Sequence, residues 1–388
     1  MWLRLTALVA AHATLLAVVS GALGGGIAHE ALSAVAVPPL AALVVAAFVT
    51  HRRLIAPSLT ALVLFGGAAL VTGPIPHLVL ASCAFAATLV LAAATFRGEP
   101  VPAGAWRDYV ALTKPRIMTL LLLTGLCGMV VRVQGWPPTW LVAVTMVGLA
   151  LACGGASALN HVLDRDLDRA MRRTASRPVA AKRVPAPRAL EFGLALSAFS
   201  FVLLASLVNP LTAALALVGN LFYVLVYTGW LKRSTTQNIV IGGAAGAVPP
   251  LVGWAAATGN LAVPALFLFL IVFFWTPPHF WALALVLKRD YAAARVPMLP
   301  VVRGDRWTAW EILAYSLVLV PITVLPFFWH TTGVAYLVAA LVLGAWLVWL
   351  AWKLVRETTP ARARLLFHFS LAYLALLFVA MALDPLVG

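Results

Sequence analysis

Residues 138–174 read PTWLVAVTMVGLALACGGASALNHVLDRDLDRAMRRT. The first part is apolar for about the 20 residues a helix needs to cross a bilayer. It runs directly into three acids, Asp164, Asp166 and Asp168, followed by Arg172 and Arg173. An apolar span with a dense polar head predicts a membrane helix whose chemistry sits at one mouth. The same apolar length recurs on both sides of this stretch, near 3–24, 30–50, 56–72, 77–96, 117–133 and 138–158. It continues near 189–208, 211–230, 238–257, 262–286, 308–328, 333–352 and 365–384, which makes thirteen spans. The third is the shortest, interrupted by Gly66 and Gly67.

Composition agrees. Of 388 residues, 63% are hydrophobic and 10% charged, whereas a soluble domain is nearer half apolar and a quarter charged. This excludes a soluble enzyme, a disordered chain and a secreted disulfide scaffold. Cys83, Cys127 and Cys153 lie singly in apolar runs, as buried thiols do. The first run follows Arg4 in the manner of a signal peptide, but no soluble or cysteine-paired domain succeeds it, so it reads as a retained span.

Lys and Arg concentrate in cytoplasmic loops of membrane proteins. With the N-terminus inside, thirteen spans put 26 of the 27 basic residues on the inner side and leave only Arg132 outside. The net charge of +15 is therefore a record of topology, not a nucleic-acid footprint. The fold class is an all-α, polytopic helix bundle of the cell membrane, with the N-terminus and the acid-bearing loops cytoplasmic. Gly98, Pro100, Pro102 and Gly104 mark the one linker-like break. They divide the chain into a four-span accessory segment (1–97), a linker (98–113) and a nine-span domain (114–388).

Among twelve acids, most fall at helix ends or loop edges. On a continuing helix, a four-residue step turns only about 40° past a full turn, so Asn160, Asp164 and Asp168 share one face and Asp166 points elsewhere. Two carboxylates one turn apart repel unless a cation lies between them. Hard oxygen ligands suit Mg²⁺, which takes one or two carboxylates and completes its shell with water and phosphate. The competing reading is a charged helix end held by local pairs among Asp164, Arg165, Asp166, Asp168 and Arg169. Location favours the metal: acids at the mouth of an apolar bundle suit a ligand with a diphosphate head and an apolar tail. Arg172 and Arg173 lie where they would grip diphosphate oxygens.

Two further inner loops carry chemistry-bearing residues. His279 lies inside a span, just after Pro277 and Pro278, followed by Lys288, Arg289, Asp290 and Tyr291. A histidine at that depth is a functional candidate, and equally a neutral ring bonded to a carbonyl freed by the prolines. Asp290 reads equally as half of a surface ion pair. Lys232 and Arg233 follow Tyr227-Thr-Gly-Trp, ahead of a glycine-rich span suited to close helix packing. Lys114-Pro-Arg116 opens the first span of the domain, with Pro near the first turn. In both places the charges serve topology or phosphate binding.

NxxxDxxxD followed by MRRTASRP resembles the first aspartate motif of the UbiA-type intramembrane prenyltransferases. LTKPRIM (112–118), YTGWLKRSTTQNIVIGGAAGAVPPLVGW (227–254), FWTPPHFWALAL (274–285) and DYAAARVPMLPVVRG (290–304) narrow the resemblance to the heme-modifying, protoheme IX farnesyltransferase branch. It spans roughly Arg107 to Gly388, nine helices, the family's count. Many superfamily members carry a second DxxxD box; here that place holds His279 and Asp290, as in the heme-modifying branch. The resemblance implies a nine-helix prenyltransferase core preceded by about four extra spans. It implies farnesyl diphosphate and heme B as substrates, heme O and diphosphate as products, and Mg²⁺ on Asp164 and Asp168 with Asn160 assisting. Lys114, Arg116, Arg172, Lys232 and Arg233 become diphosphate binders, and His279, Asp290 and Tyr291 become heme-site candidates. The first hundred residues, with His12, His29, His51 and His77, faintly resemble half a heme A synthase, which would bring that enzyme or terminal-oxidase assembly factors as partners. An aromatic quinone-precursor prenyltransferase would need the second acidic box. A transporter would place its binding residues near the midplane, often within repeated halves.

Overall fold

The computed structural model describes residues 106–387, with a few isolated positions before them. The four N-terminal spans, their histidines, Cys83 and the faint likeness to heme A synthase lie outside the described residues.

A short helix, α1 (Trp106–Leu112), precedes the bundle. Nine helices long and apolar enough to cross a membrane follow among the described residues, so the chain is a multi-pass membrane protein. They are α2 (Pro115–Val133), α3 (Thr139–Leu163), α5 (Ala186–Leu207) and α6 (Pro210–Ser234), then α7 (Asn238–Thr258), α8 (Val263–Val286), α11 (Asp305–Phe328), α12 (Val334–Arg356) and α13 (Pro360–Val387). Short helices α4 (Arg165–Ala170), α9 (Lys288–Ala293) and α10 (Leu299–Val302) sit in the connections. No strand occurs among the described residues.

α3 packs on α5, α5 on α6, α6 on α7 and α7 on α2, while α8, α11, α12 and α13 pack in succession and α13 returns to α2. α7 and α8 form the spine. Each carries a proline pair inside the helix, Pro249–Pro250 and Pro277–Pro278, all four buried. Proline removes a ladder bond and frees a carbonyl, tolerable in a membrane only where other protein groups surround it. Where α2 crosses α7, a Cβ on Gly253 would lie 1.8 Å from the Gly125 carbonyl oxygen, and one on Gly128 2.4 Å from that of Pro250.

Two segments differ from the sequence expectation. The loop expected from Tyr227 is helical to Ser234, because Phe222–Leu231 winds as a π-helix that carries α6 further inward. The described end of the 98–113 stretch is helical too: α1 packs Leu112 against Ala158, Val179 and Ala189, and its carbonyl accepts the Ser157 hydroxyl at 2.6 Å.

Candidate active site

The helix carrying Asn160 does not run straight on through the acids. α3 ends at Leu163, and Asp164 (φ −90°, ψ 5°) joins it to α4. The four-residue step nonetheless survives the joint. Asp164 N–H donates to the Asn160 carbonyl at 2.9 Å, and Asp168 N–H to the Asp164 carbonyl at 2.7 Å. Asn160, Asp164 and Asp168 therefore share a buried face (2%, 0% and 2% exposed), while the Asp166 side chain is 61% exposed.

Ion pairing runs between segments, not along α4. Lys232 Nζ donates to Asp164 Oδ2 at 2.5 Å. Arg177 holds both oxygens of Asp168, at 2.8 and 3.0 Å, and Arg233 forks onto Asp166. The local pairs with Arg165 and Arg169 do not form; Arg169 instead donates to the Ala180 carbonyl. That bond, and Thr174 Oγ1 on the Asp168 carbonyl, fold the 171–184 loop back so that Arg177 reaches the acids. The Arg233 fork holds the Asp166 carboxyl down at about 2.

Asn160 is the junction. Its Nδ2 donates to Asp164 Oδ2 (2.7 Å) and to Thr228 Oγ1 (3.0 Å), the latter on the π-wound turn of α6. Its Oδ1 accepts from Lys114 Nζ at 2.8 Å. Lys114 adopts left-handed backbone geometry (φ 51°, ψ 60°) immediately before Pro115. That strain is unusual for a non-glycine residue and characteristic of functional sites. Desolvation pushes the Lys114 ammonium down to about 7, with the Arg177 and Lys232 charges adding to it. Asp164 Oδ1 is fully enclosed without a hydrogen-bond partner.

The structure thus joins Asn160, Asp164, Asp168, Lys114 and Lys232, with Arg233 at the rim. Arg116 and Arg172 are exposed, and their side chains make no hydrogen bond or ion pair with this cluster. His279 is buried in α8, its ring stacked between Trp275 (centroids 4.4 Å) and Phe367 (4.7 Å), with Nδ1 2.8 Å from Ser370 Oγ. The carbonyl partner expected beside the prolines is replaced by a hydroxyl. Asp290 does not pair with Lys288, which bonds Asp305. Tyr291 is buried in an apolar cluster with Met171, beside which Leu167 and Tyr227 pack; burial raises its phenol pKa.

Sequence reasoning missed Arg177, Thr228 and His161. His161 lies beside Asn160, buried, with both ring nitrogens enclosed and unpartnered. For Arg177 the available signal was its place in the MRRTASRP run, directly before Pro178. Arg177→Ala leaves a buried carboxylate without its clamp. The expected loss is about 3 kcal/mol of stability and roughly 10- to 100-fold in activity, the range for groups that orient a ligand-bearing carboxylate. Thermal melts and initial rates on the same preparation check both.

The sequence from residue 121 to 378 matches the UbiA prenyltransferase family. The chain belongs to that family. It is a membrane prenyltransferase, and its strong likenesses lie in one branch. It is 56% identical over 280 residues to a protoheme IX farnesyltransferase of Symbiobacterium thermophilum, covering 72% of this chain and 94% of that one. Protoheme IX farnesyltransferase 1 of Pseudomonas fluorescens is 49% identical over 283 residues, 73% of this chain and 94% of that protein. With the Chloroflexus aurantiacus protoheme IX farnesyltransferase the identity is 45% over 348 residues; that likeness takes in 85% of this chain, reaching into the segment before Lys114, but only 59% of the longer relative. Solved structures share the fold. A digeranylgeranylglyceryl phosphate synthase superposes with TM-score 0.62 at 16% identity, over 73% of this chain and 99% of that one. An Archaeoglobus fulgidus UbiA homolog, solved with DMAPP and Mg²⁺, gives 0.53 at 14%, over 70% and 99%.

Proposed function

We propose that the buried Asn160–Asp164–Asp168 face is where this chain transfers the farnesyl group of farnesyl diphosphate to a vinyl group of heme B, giving heme O. The observation that carries the site assignment is Asp164 Oδ1, an enclosed carboxylate oxygen with no partner, in a cluster otherwise crowded with cations. Such an atom suits a hard cation. Among the described residues no three His, Cys, Asp or Glu side chains gather to hold one. That agrees with Mg²⁺, which takes one or two carboxylates and leaves the rest of its shell to water and substrate phosphate. Asp164 and Asp168, with Asn160, would hold it; bound there, Mg²⁺ neutralises charge on the leaving diphosphate.

The chain's own residues do the rest. Lys114 and Lys232, each already bonded into the cluster, and Arg177 and Arg233 at its edge, take the diphosphate oxygens. Arg116 and Arg172, exposed at the same mouth, meet the diphosphate on its approach. As the C1–O bond breaks, its electron pair leaves with the diphosphate. The heme vinyl π electrons then attack C1, and water adds to the resulting side-chain cation with loss of a proton, giving the hydroxyethylfarnesyl arm. The apolar bundle keeps water from the allylic cation until the vinyl group has reacted. On the heme side, the candidates are His279, buried between Trp275 and Phe367, and Asp290 and Tyr291 on the short helix α9 that follows α8. The cluster faces the cytoplasm in this reading, which the basic-residue distribution supports.

The test is full-length protein in lipid nanodiscs with farnesyl diphosphate, Mg²⁺ and either heme B or an aromatic quinone precursor, products read by mass spectrometry. Heme O from heme B is the expected result. Prenylation of the quinone precursor alone moves the chain to the aromatic branch, and no product from either overturns the assignment.

A further inference from the structure

α2 has a charged residue near each end. Lys114, just before its first turn, enters the aspartate cluster; Arg132, in its last turn, lies at the opposite end of the bundle. Arg132 is the basic residue that the topology leaves alone on that side, so it serves no positive-inside role. Nor does it pair: among the described residues no carboxylate oxygen lies within 4 Å of it. Its Nε is fully enclosed without a hydrogen-bond partner. The guanidinium carbon sits 5.6 Å from the ring centre of Trp254 on α7, and that indole is 4% exposed.

Trp254 repeats the pattern, for its Nε1–H is also enclosed and has no acceptor. The loop between α11 and α12 closes over the same end, tied down by Gln134 Nε2 on the Thr331 carbonyl at 3.2 Å. Its Thr332 hydroxyl is a third enclosed polar group without a partner. Asp384, the acid that reaches this loop, is occupied by the N–H groups of Gly333 and Tyr336. Guanidinium and indole N–H groups can only donate. Arg132 as a whole is half-buried, but its enclosed Nε–H and the Trp254 Nε1–H have neither water nor an acceptor, which is costly. What completes the pair must bring acceptors, best of all a planar or tetrahedral oxyanion, which arginine recognises well.

We infer that Arg132 and Trp254 form a second anion site, at the end of the bundle opposite the aspartates, which holds the oxyanion head of a membrane amphiphile. Two sources share that chemistry: a propionate of heme B, whose carboxylates lie across the macrocycle from its vinyl groups, and the phosphate of a lipid in the far leaflet. The heme source rests on the farnesyl-transfer reading; the lipid source does not.

The experiment uses the full chain in nanodiscs containing phosphatidylglycerol, comparing wild type with Arg132→Gln and Trp254→Phe. The second variant keeps an aromatic ring and removes only the donor, so the test survives if the first fails to fold. Binding is titrated with heme B and with its dimethyl ester, and retained phosphatidylglycerol is counted by native mass spectrometry. If a propionate is held, both variants lose roughly tenfold or more in heme B affinity while the ester binds as before. If a lipid phosphate is held, heme affinity is unchanged and the variants lose a retained phosphatidylglycerol. No change in either readout, or equal weakening of heme B and its ester without lipid loss, overturns the site. Heme O formation by wild type is scored alongside: its absence refutes the farnesyl-transfer reading while the lipid count still reports on Arg132.

Discussion

Asp164→Ala abolishes heme O formation, lowering the rate by about a thousandfold or more, while the protein still folds and inserts. The carboxylate does two things that no neighbour duplicates. Its Oδ2 gathers Lys232 and Asn160, and its Oδ1 is an enclosed carboxylate oxygen without a partner, left for a cation. Removing it frees Lys232 from the cluster and unties Asn160 from one of its three partners. Groups that stabilise charge developing on a leaving oxygen are each worth about 10²–10³ in rate, and Asp164 acts on both the metal and a lysine. Asp164→Asn keeps the shape but not the charge, and should fall nearly as far. Asp166→Asn is the matched comparison. It alters a neighbouring carboxylate that is exposed and paired with Arg233 at the surface, so its rate should stay within about threefold of wild type, in keeping with the small worth of exposed pairs. Steady-state heme O production, with gel filtration and thermal melts as folding controls, decides the matter. Equal losses in the Asp164 and Asp166 variants would refute the geometry of the face.

The parts of this site that the chain reveals in one dimension are those set by local period. A four-residue step places Asn160, Asp164 and Asp168 together whether or not the helix is continuous, and the break at Asp164 leaves the step intact. Span positions were similarly legible, because twenty apolar residues have few alternatives in a bilayer. Span ends were not. Counting apolar residues stops α3 near 158, yet helix continues to Leu163, because Asn160 and His161 are polar but turned into the protein. Contacts made across the fold left no periodic trace. Lys232 meets Asp164 from 68 residues away, from the inner end of α6 just after its π-wound stretch. Arg177 meets Asp168 through an irregular loop held by Thr174 and Arg169. Conversely, Arg116 and Arg172 have the right charge at the right mouth, but both are exposed and their side chains make no hydrogen bond or ion pair with the cluster. Charge and sequence proximity do not determine the direction of a side chain.

Gly253→Ala should be the most destructive single-methyl change in the bundle, although it touches neither acid nor base. Helices in a membrane gain little from burying apolar surface against one another, so their crossings depend on close backbone contact through small residues. At the α2–α7 crossing that contact has no slack. The added Cβ would fall 1.8 Å from the Gly125 oxygen and 2.8 Å from its carbonyl carbon, backbone atoms that no rotamer change can move aside. One helix must shift. Overpacking typically costs about 1–3 kcal/mol where side chains can yield, and here the expected cost exceeds about 3 kcal/mol. Activity is lost too, since α2 carries Lys114 to Asn160 at 2.8 Å and a displaced crossing pulls them apart. Gly246→Ala, seven residues earlier on the same helix, is the control: its Cβ would meet nothing within 4 Å. There the usual helix preference for alanine applies, so it should be neutral or stabilise by up to about 1 kcal/mol. Melting curves of both variants in detergent give the test. If Gly253→Ala melts within a few degrees of wild type, the crossing is looser than its geometry requires, and the positioning of Lys114 must rest on the α1–α3 contacts around Leu112 and Ser157 instead.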